Sequence, residues 1–287
     1  MKIIMNLLVR DEDDIIKENI DFHLNQGIDH IIAMDNLSTD STKMILKKYE
    51  TKGKLTYLYQ ENDNYDQHKW VTSMARLAFD EHDADWVINN DADEFWWPSK
   101  GTLRDVFLGL PHSVNVVEAS RKNFVFIDSP RGDTPFYQKM IYKDLLSLNP
   151  VGKPLPPKVA HIGCHSVIVK QGNHNVDGIG IQNIQKGVIE IFHFPIRTYN
   201  QFQNKIIKGG AAYAKNNELP QNIGNTWRTL YKTYQEEGNL NSYIDSHSYS
   251  NNRLTQEINE GRMILDTKLR DFMNSKYKKM VQNKNPI

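Results

Sequence analysis

The segment Trp86-Val87-Ile88-Asn89-Asn90-Asp91-Ala92-Asp93-Glu94-Phe95 holds the densest chemistry in the chain. Asp91, Asp93 and Glu94 follow an apolar run at once. Carboxylates this close repel one another unless a cation or hydrogen-bond donors offset them. A divalent ion meets that need simply, and oxygen ligands suit Mn2+ or Mg2+, which keep room for substrate phosphates. Asp-x-Asp also occurs at Asp11/Asp13 and Asp83/Asp85. Acid-rich turns of that kind are ordinary on surfaces. Only the third pair has an apolar strand before it and the aromatics Phe95, Trp96 and Trp97 after it.

Other residue types fit around such a centre. Glu94 reads equally as a carboxylate behind a metal, a general base or the acid that starts a helix. Asp177, in His174-Asn175-Val176-Asp177-Gly178, and Glu118 are further base candidates, though an acid beside glycine also makes an ordinary turn. His161, His165, His174 and His193 fall in the second half; His174 and His165 suit a sugar or phosphate hydroxyl. Trp97 or Trp96 can stack on a sugar ring, the other packing in the core. Arg197 and Lys205 stand either against phosphate charge or on a solvated helix face. Trp227 reads as an acceptor contact or as helix packing.

These side chains need a scaffold. Residues 2–9, 31–34, 55–59 and 86–88 are apolar runs of strand length. Between them lie helical periods: Ile15, Ile16, Ile20 and Leu24 up to Gly27, then Ser38 to Tyr49, then Trp70, Met74, Leu77 and Ala78. Strand and helix alternating over short connections predict a mostly parallel central sheet flanked by helices. Ligands of such sheets gather at the carboxyl ends of the strands, where Asp91 falls. A short helix is expected at Leu103–Leu108, then strands at Val114–Ala119 and Phe124–Ile127. A hairpin of Val159–His165 with Val167–Lys170 and a strand at Val188–Phe194 follow. Residues 128–160 hold Pro130, Pro135, Pro150, Pro154, Pro156 and Pro157 and read as loop. From Thr198 the pattern is helical, with one helix spanning Ile258 to Met273.

Composition narrows the function. Lys plus Arg total 35 and Asp plus Glu total 35, so the formal net charge is zero. A nucleic-acid partner is therefore not expected, since phosphate binders carry a basic surplus. Cys164 stands alone, which excludes an intramolecular disulfide and cysteine-based zinc sites. No run approaches ~18 apolar residues, and the N-terminus lacks a cleavable leader pattern. A cytoplasmic protein is expected, at most peripheral to the inner face of the membrane through Lys276, Lys278, Lys279 and Lys284.

Four segments in order carry a resemblance: Leu8-Val9-Arg10-Asp11-Glu12, Asp35-Asn36-Leu37-Ser38-Thr39-Asp40, Asp91-Ala92-Asp93-Glu94-Phe95 and His193-Phe194-Pro195-Ile196-Arg197-Thr198-Tyr199. Together they resemble the family 2 type glycosyltransferases with a GT-A fold, most closely a bacterial subgroup with an Asp-x-Asp-Glu-Phe motif. The resemblance covers residues 1–205. It implies a nucleotide-binding half at 1–100, an acceptor-binding half at 101–205 and a helical C-terminal extension at 206–287. It further implies that Asp35 contacts the nucleotide base and that Val9, Arg10 and Glu12 lie against the nucleoside. Asp91 would sit near ribose and metal, Asp93 on the metal, and His193 would complete the shell.

The implied activity is metal-dependent transfer of a sugar from a nucleotide-sugar donor, commonly UDP-linked, with inversion. The acceptor would be a glycan, lipid-linked glycan or protein. A metal offsets the charge that builds on the leaving diphosphate, and a carboxylate takes the acceptor's proton. A nucleotidyltransferase is the nearest rival, but its phosphate loop wants glycine, and Val9-Arg10-Asp11-Glu12-Asp13 has none. A non-catalytic carbohydrate-binding protein of the same fold is the other rival; the clustered acids weigh against it.

Overall fold

The alternating pattern resolves, in a computed structural model, into twelve strands and ten helices among the described residues. Those residues are 1–127, 134–149, 152–216, 219–220 and 223–284, the last eight as backbone only. In chain order they form β1 (Ile3–Val9), α1 (Ile16–Asn25), β2 (His30–Asp35), α2 (Thr42–Glu50), β3 (Leu55–Tyr59), α3 (Gln67–Asp80) and β4 (Trp86–Asp91). Next come β5 (Glu94–Pro98), α4 (Leu103–Leu108), β6 (Val116–Asn123), α5 (Phe136–Lys139), β7 (Tyr142–Asp144), β8 (Lys158–Ile162), β9 (Ile168–Val169) and β10 (Val176–Asp177). The chain ends with β11 (Ile184–His193), α6 (Tyr199–Lys215), α7 (Asn225–Glu237), α8 (Asn241–His247), α9 (Asn251–Asn259), β12 (Met263–Leu265) and α10 (Lys268–Lys284).

Eight strands make one sheet in the order β3-β2-β1-β4-β8-β6-β11-β5. Six run the same way; β8 and β5 oppose their neighbours. This is the mostly parallel, helix-flanked α/β architecture expected. β1 is buried along nearly its whole length because helices cover both faces, as a central parallel strand requires. Behind one face lie Ile16, Ile20 and Phe22 of α1; behind the other lie Trp70, Val71, Met74 and Ala78 of α3.

The sheet cannot be flat. β4 and β5 stand four strand spacings apart in its order, about 19 Å if flat. Only Ala92 and Asp93 join them, a reach of about 11 Å at most. The sheet therefore bends back on itself at the acid turn. There β11 pairs with β5 so that His193 faces Glu94 in register.

Several elements differ from expectation for identifiable reasons. α2 begins at Thr42, not Ser38, because residues 38–41 brace the first loop: Asp11 Oδ1 accepts from Thr39 N at 2.6 Å and Asp40 N at 3.3 Å. Phe124–Ile127 makes only isolated bridges, to Lys143 and Ser248. The expected hairpin after Val159 does not form, since β8 is drawn into the main sheet between β4 and β6 while β9 pairs β10. The helix expected over Ile258–Met273 is broken by Gly261, at φ 70, and by β12.

The boundary expected at 205/206 falls inside α6. One apolar cluster joins Phe126, Ile196 and Phe202 before it to Ile206, Leu230 and Ile244 after it. The C-terminal helices thus pack as part of the same body as the sheet's second half. Of the basic tail, Lys276 pairs with Asp21 at 3.3 Å. The side chains of Lys278, Lys279 and Lys284, and residues Pro130 and Pro150 altogether, lie outside what is described. No helix among the described residues is long and apolar enough to cross a membrane.

Candidate active site

The acid turn is fixed from behind by buried amides. Asn19 on α1 donates from Nδ2 to the carbonyls of Ala92, at 2.9 Å, and Glu94, at 2.8 Å. Asn90 donates to Glu94 O at 3.2 Å, and its Oδ1 accepts from Trp96 Nε1 at 2.9 Å. Trp96 N donates to His23 Nε2 at 3.2 Å, so the His23 proton sits on Nδ1, which donates to Asn19 O at 2.8 Å. Burial pushes the His23 imidazole down to about 3, so it stays neutral. The side-chain polar atoms of Asn19, His23, Asn90 and Trp96 all meet partners, which makes the turn's backbone rigid. Asn19 and His23 escaped the sequence reading. Their signal was present: they sit four residues apart, beside Ile16 and Ile20, on the buried face of α1.

Within the turn the charges are closely matched. Burial alone would raise Asp93, but Lys205, His193 and Arg197 outweigh it and hold the carboxyl well below the usual range. Lys205 Nζ donates to Asp93 Oδ2 at 2.5 Å, and His193 Nε2 lies 3.7 Å from the same oxygen. His193 Nδ1 meets Asn123 Oδ1 at 2.7 Å; with the proton there, Nε2 turns a lone pair toward Asp93. Burial lowers His193 to about 3. Asp91 pairs with Lys158 Nζ and accepts from Asn173 at 3.2 Å. Glu94 is fully buried, and burial raises it to about 7 although Lys158 and Arg121 stand 3.5 and 3.2 Å away. Its place at the head of β5 removes the helix-start reading.

A cavity of about 700 Å³ opens in front of the turn. Val9, Asn36, Asp91, Asn123 and His193, which line it, end or directly follow five strands that run the same way. The sheet thus aims all five strand ends at one space, as parallel α/β sheets do. Of the residues singled out from sequence, Val9, Arg10, Glu12, Asp91, Asp93, His174, His193, Lys205 and Trp227 line it.

Four others do not. Asp35 is buried, its oxygens taken by Ser38 N and the Tyr57 hydroxyl, each at 3.0 Å; its neighbour Asn36 reaches the cavity instead. Asp177 is half exposed on β10 and paired with Lys170, away from the lining, because β10 joins the small separate sheet. Trp97 stacks on Phe192 at 5.1 Å and on Phe22 at 5.5 Å, a core role where an acceptor contact was expected. Glu94 stands behind the wall formed by Arg121 and Lys158.

The clustered acids do not leave the pocket negative. Asp11, Glu12, Asp91 and Asp93 in the lining face Arg10, Arg121, Lys158, Lys205 and Lys208. The chain's own cations offset the acids. For a bound ion the donors fit in part: Asp93 and His193 converge, whereas Asp91 is turned to Lys158. Among the described residues no group of three His, Cys, Asp or Glu is arranged around one point.

The C-terminal helices supply the far wall, which sequence reading could not place. Trp227, Leu230, Tyr243 and His247 line the cavity together with the acid turn. α6 and α7 approach closely because Gly209 and Gly210 have no side chains: a Cβ at Gly209 would lie 2.4 Å from the Trp227 ring. Gly209→Ala is expected to shift Trp227 and cost about 1–3 kcal/mol. A melting temperature unchanged from wild type would show that the ring moves freely.

A sequence profile for glycosyltransferase family 92 matches residues 6–173, more than half of the chain. The resemblance expected from the motifs is to family 2 type enzymes; the match agrees with it on a glycosyltransferase, and the family it gives is 92. No curated protein matches. Among solved structures, S. aureus TarS 1–349 is similar at 13% identity and TM-score 0.46, over 83% of this chain and 73% of that one. The same protein in complex with UDP-GlcNAc gives 13% and 0.43, over 84% and 74%. Glucosyl-3-phosphoglycerate synthase from Mycobacterium tuberculosis, in complex with Mn2+, UDP and glucosyl-3-phosphoglycerate, gives 15% and 0.29, over 42% and 44%.

Proposed function

The chain belongs to glycosyltransferase family 92, and from that premise we propose that it moves a sugar from a UDP-sugar to a hydroxyl of a glycan, lipid-linked glycan or protein. The observation that carries this reading is the acid turn, held rigid from behind and open in front onto a cavity ringed by five strand ends. The nucleoside lies against Val9, Arg10 and Glu12, with Asn36 and Asp35 toward the base. Asp93 and His193 would hold Mn2+ or Mg2+, with Asp91 beside them; when bound, the ion supplies positive charge to the leaving diphosphate.

The acceptor hydroxyl attacks the anomeric carbon directly, with inversion. Its proton needs a carboxylate. Glu94 is proposed for it through an intervening water, because the residue is buried behind Arg121 and Lys158, out of direct reach of the acceptor; its Oε2 has no hydrogen-bond partner among the described residues. The acceptor's ring enters from the side of Trp227, whose face suits apolar sugar C–H patches, while Tyr243 is stacked on Phe202 and His247, at 5.5 and 4.1 Å. His174 stands nearby, lowered to about 4 by burial and so a neutral hydrogen-bonding group.

The test is hydrolysis of a panel of UDP-, GDP- and dTDP-sugars by the wild-type protein with Mn2+ present. Release of UDP above the uncatalysed rate from one or more UDP-sugars is the expected result. No binding and no release with any member of the panel would end the transferase reading.

A further inference from the structure

Two lysines on α6 reach into the cavity from the segment that carries no recognised motif or sits at its border. Lys205 and Lys208 are three residues apart and therefore share one helix face. Lys205 donates to Asp93 at 2.5 Å and lies 3.8 Å from Glu12. Lys208 pairs with Asp11 and donates to Thr39 Oγ1 at 2.7 Å. Their acids sit at or just beyond the carboxyl ends of β4 and β1, the edge where a ligand of this sheet would bind. Both ammonium groups also line the open cavity. Lys158 and Arg121, across the cavity, hold Asp91 and Glu94.

We infer that Lys205 and Lys208 are direct ligands of the donor's diphosphate, additional to any metal at Asp93. This rests on the transferase reading. A diphosphate brings charge into a space whose acids are already matched, so it binds only if cations turn to it. Lysine suits that exchange, being a compact charge on a flexible stem. Lys205 is about one quarter exposed and Lys208 somewhat more, so both can swing from acid to phosphate without unfolding α6. The site would therefore bind phosphates of the donor through the chain's own charges.

The test measures binding of inorganic pyrophosphate, UDP and uridine to wild type, Lys205→Met, Lys208→Met and Lys205→Arg, in EDTA and again with Mn2+. Wild type should bind pyrophosphate and UDP in EDTA. Each Met variant should weaken both by about tenfold and leave uridine binding unchanged, while Lys205→Arg stays within about threefold of wild type. The double variant Asp93→Asn/Lys205→Met separates contact from mere neutralisation. If the lysine touches phosphate, pyrophosphate affinity stays low with the acid removed. Recovery of wild-type affinity in the double variant, or no change in either Met variant, overturns the inference. Lysine-dependent pyrophosphate binding with UDP bound no better would instead sink the nucleotide-sugar reading and leave the phosphate site standing.

Discussion

Asp93→Ala is expected to cut hydrolysis of a UDP-sugar by about 10³-fold in the presence of Mn2+, the scale seen when one charge-stabilising group is removed from a transition state. Asp93 is the one acid of the turn that both lines the cavity and meets His193. Its loss removes the carboxylate while the backbone of the turn keeps its amide supports, because Asn19 bonds to Ala92 and Glu94, not to Asp93. The protein should remain folded. Lys205 loses a partner but keeps Glu12 at 3.8 Å and partial contact with water. The comparison that decides is Asp93→Asn. It has the same shape without the charge, and should be nearly as inactive if charge is what matters. Turnover within a few-fold of wild type for Asp93→Asn would mean that the acid only anchors Lys205.

The sequence could reveal the turn and not its surroundings, and the reason is sequence separation. Asp91, Asp93 and Glu94 are local and follow a strand, so type and spacing were enough. The first hundred residues were legible because each apolar run is one strand and each 3.6-residue period one helix. His193 was placed by likeness; what brings it to Asp93 is the register of β11 on β5, a pairing across about a hundred residues that no local pattern encodes. The same holds for β8, whose five residues looked like half of a hairpin and are claimed by two distant strands. Lys158, Arg121 and Lys208 are ordinary surface types in sequence, and only the fold turns them inward. The opposite error befell Trp97 and Asp177. Their types suit sugar chemistry, but one faces the core and the other a satellite sheet.

His23 provides the second large effect, through pH. In the unfolded chain it takes a proton near 6.5; in the folded protein burial delays this to about 3. Between those values the unfolded state binds the proton and the folded state does not. Stability from this residue is therefore complete above 6.5 and is lost as pH falls toward 3, at about 1.4 kcal/mol per pH unit. His161, lowered by burial to about 4, and His193, lowered to about 3, act in the same direction. Glu94 acts against them: raised to about 7, it takes up a proton in the folded state between 7 and 4.5 and stabilises the fold as pH falls through that range. His174, lowered to about 4, and the lowered Asp93 join these histidines, and together they outweigh the raised Glu94 and Glu12, leaving net acid destabilisation. His23→Gln should be less stable than wild type at pH 7 by about 1–3 kcal/mol, having lost buried hydrogen bonds. The two stabilities should then converge by about 1.4 kcal/mol per unit as urea titrations move from pH 6 to pH 4. Parallel curves would mean that His23 is not the buried neutral group described. In the folded protein Nε2 stays unprotonated down to about 3 and keeps accepting from Trp96 N, so the support behind Asp93 holds wherever the chain is folded. Acid loss of turnover in wild type should therefore follow the loss of folded protein between about pH 6 and pH 4 and not precede it.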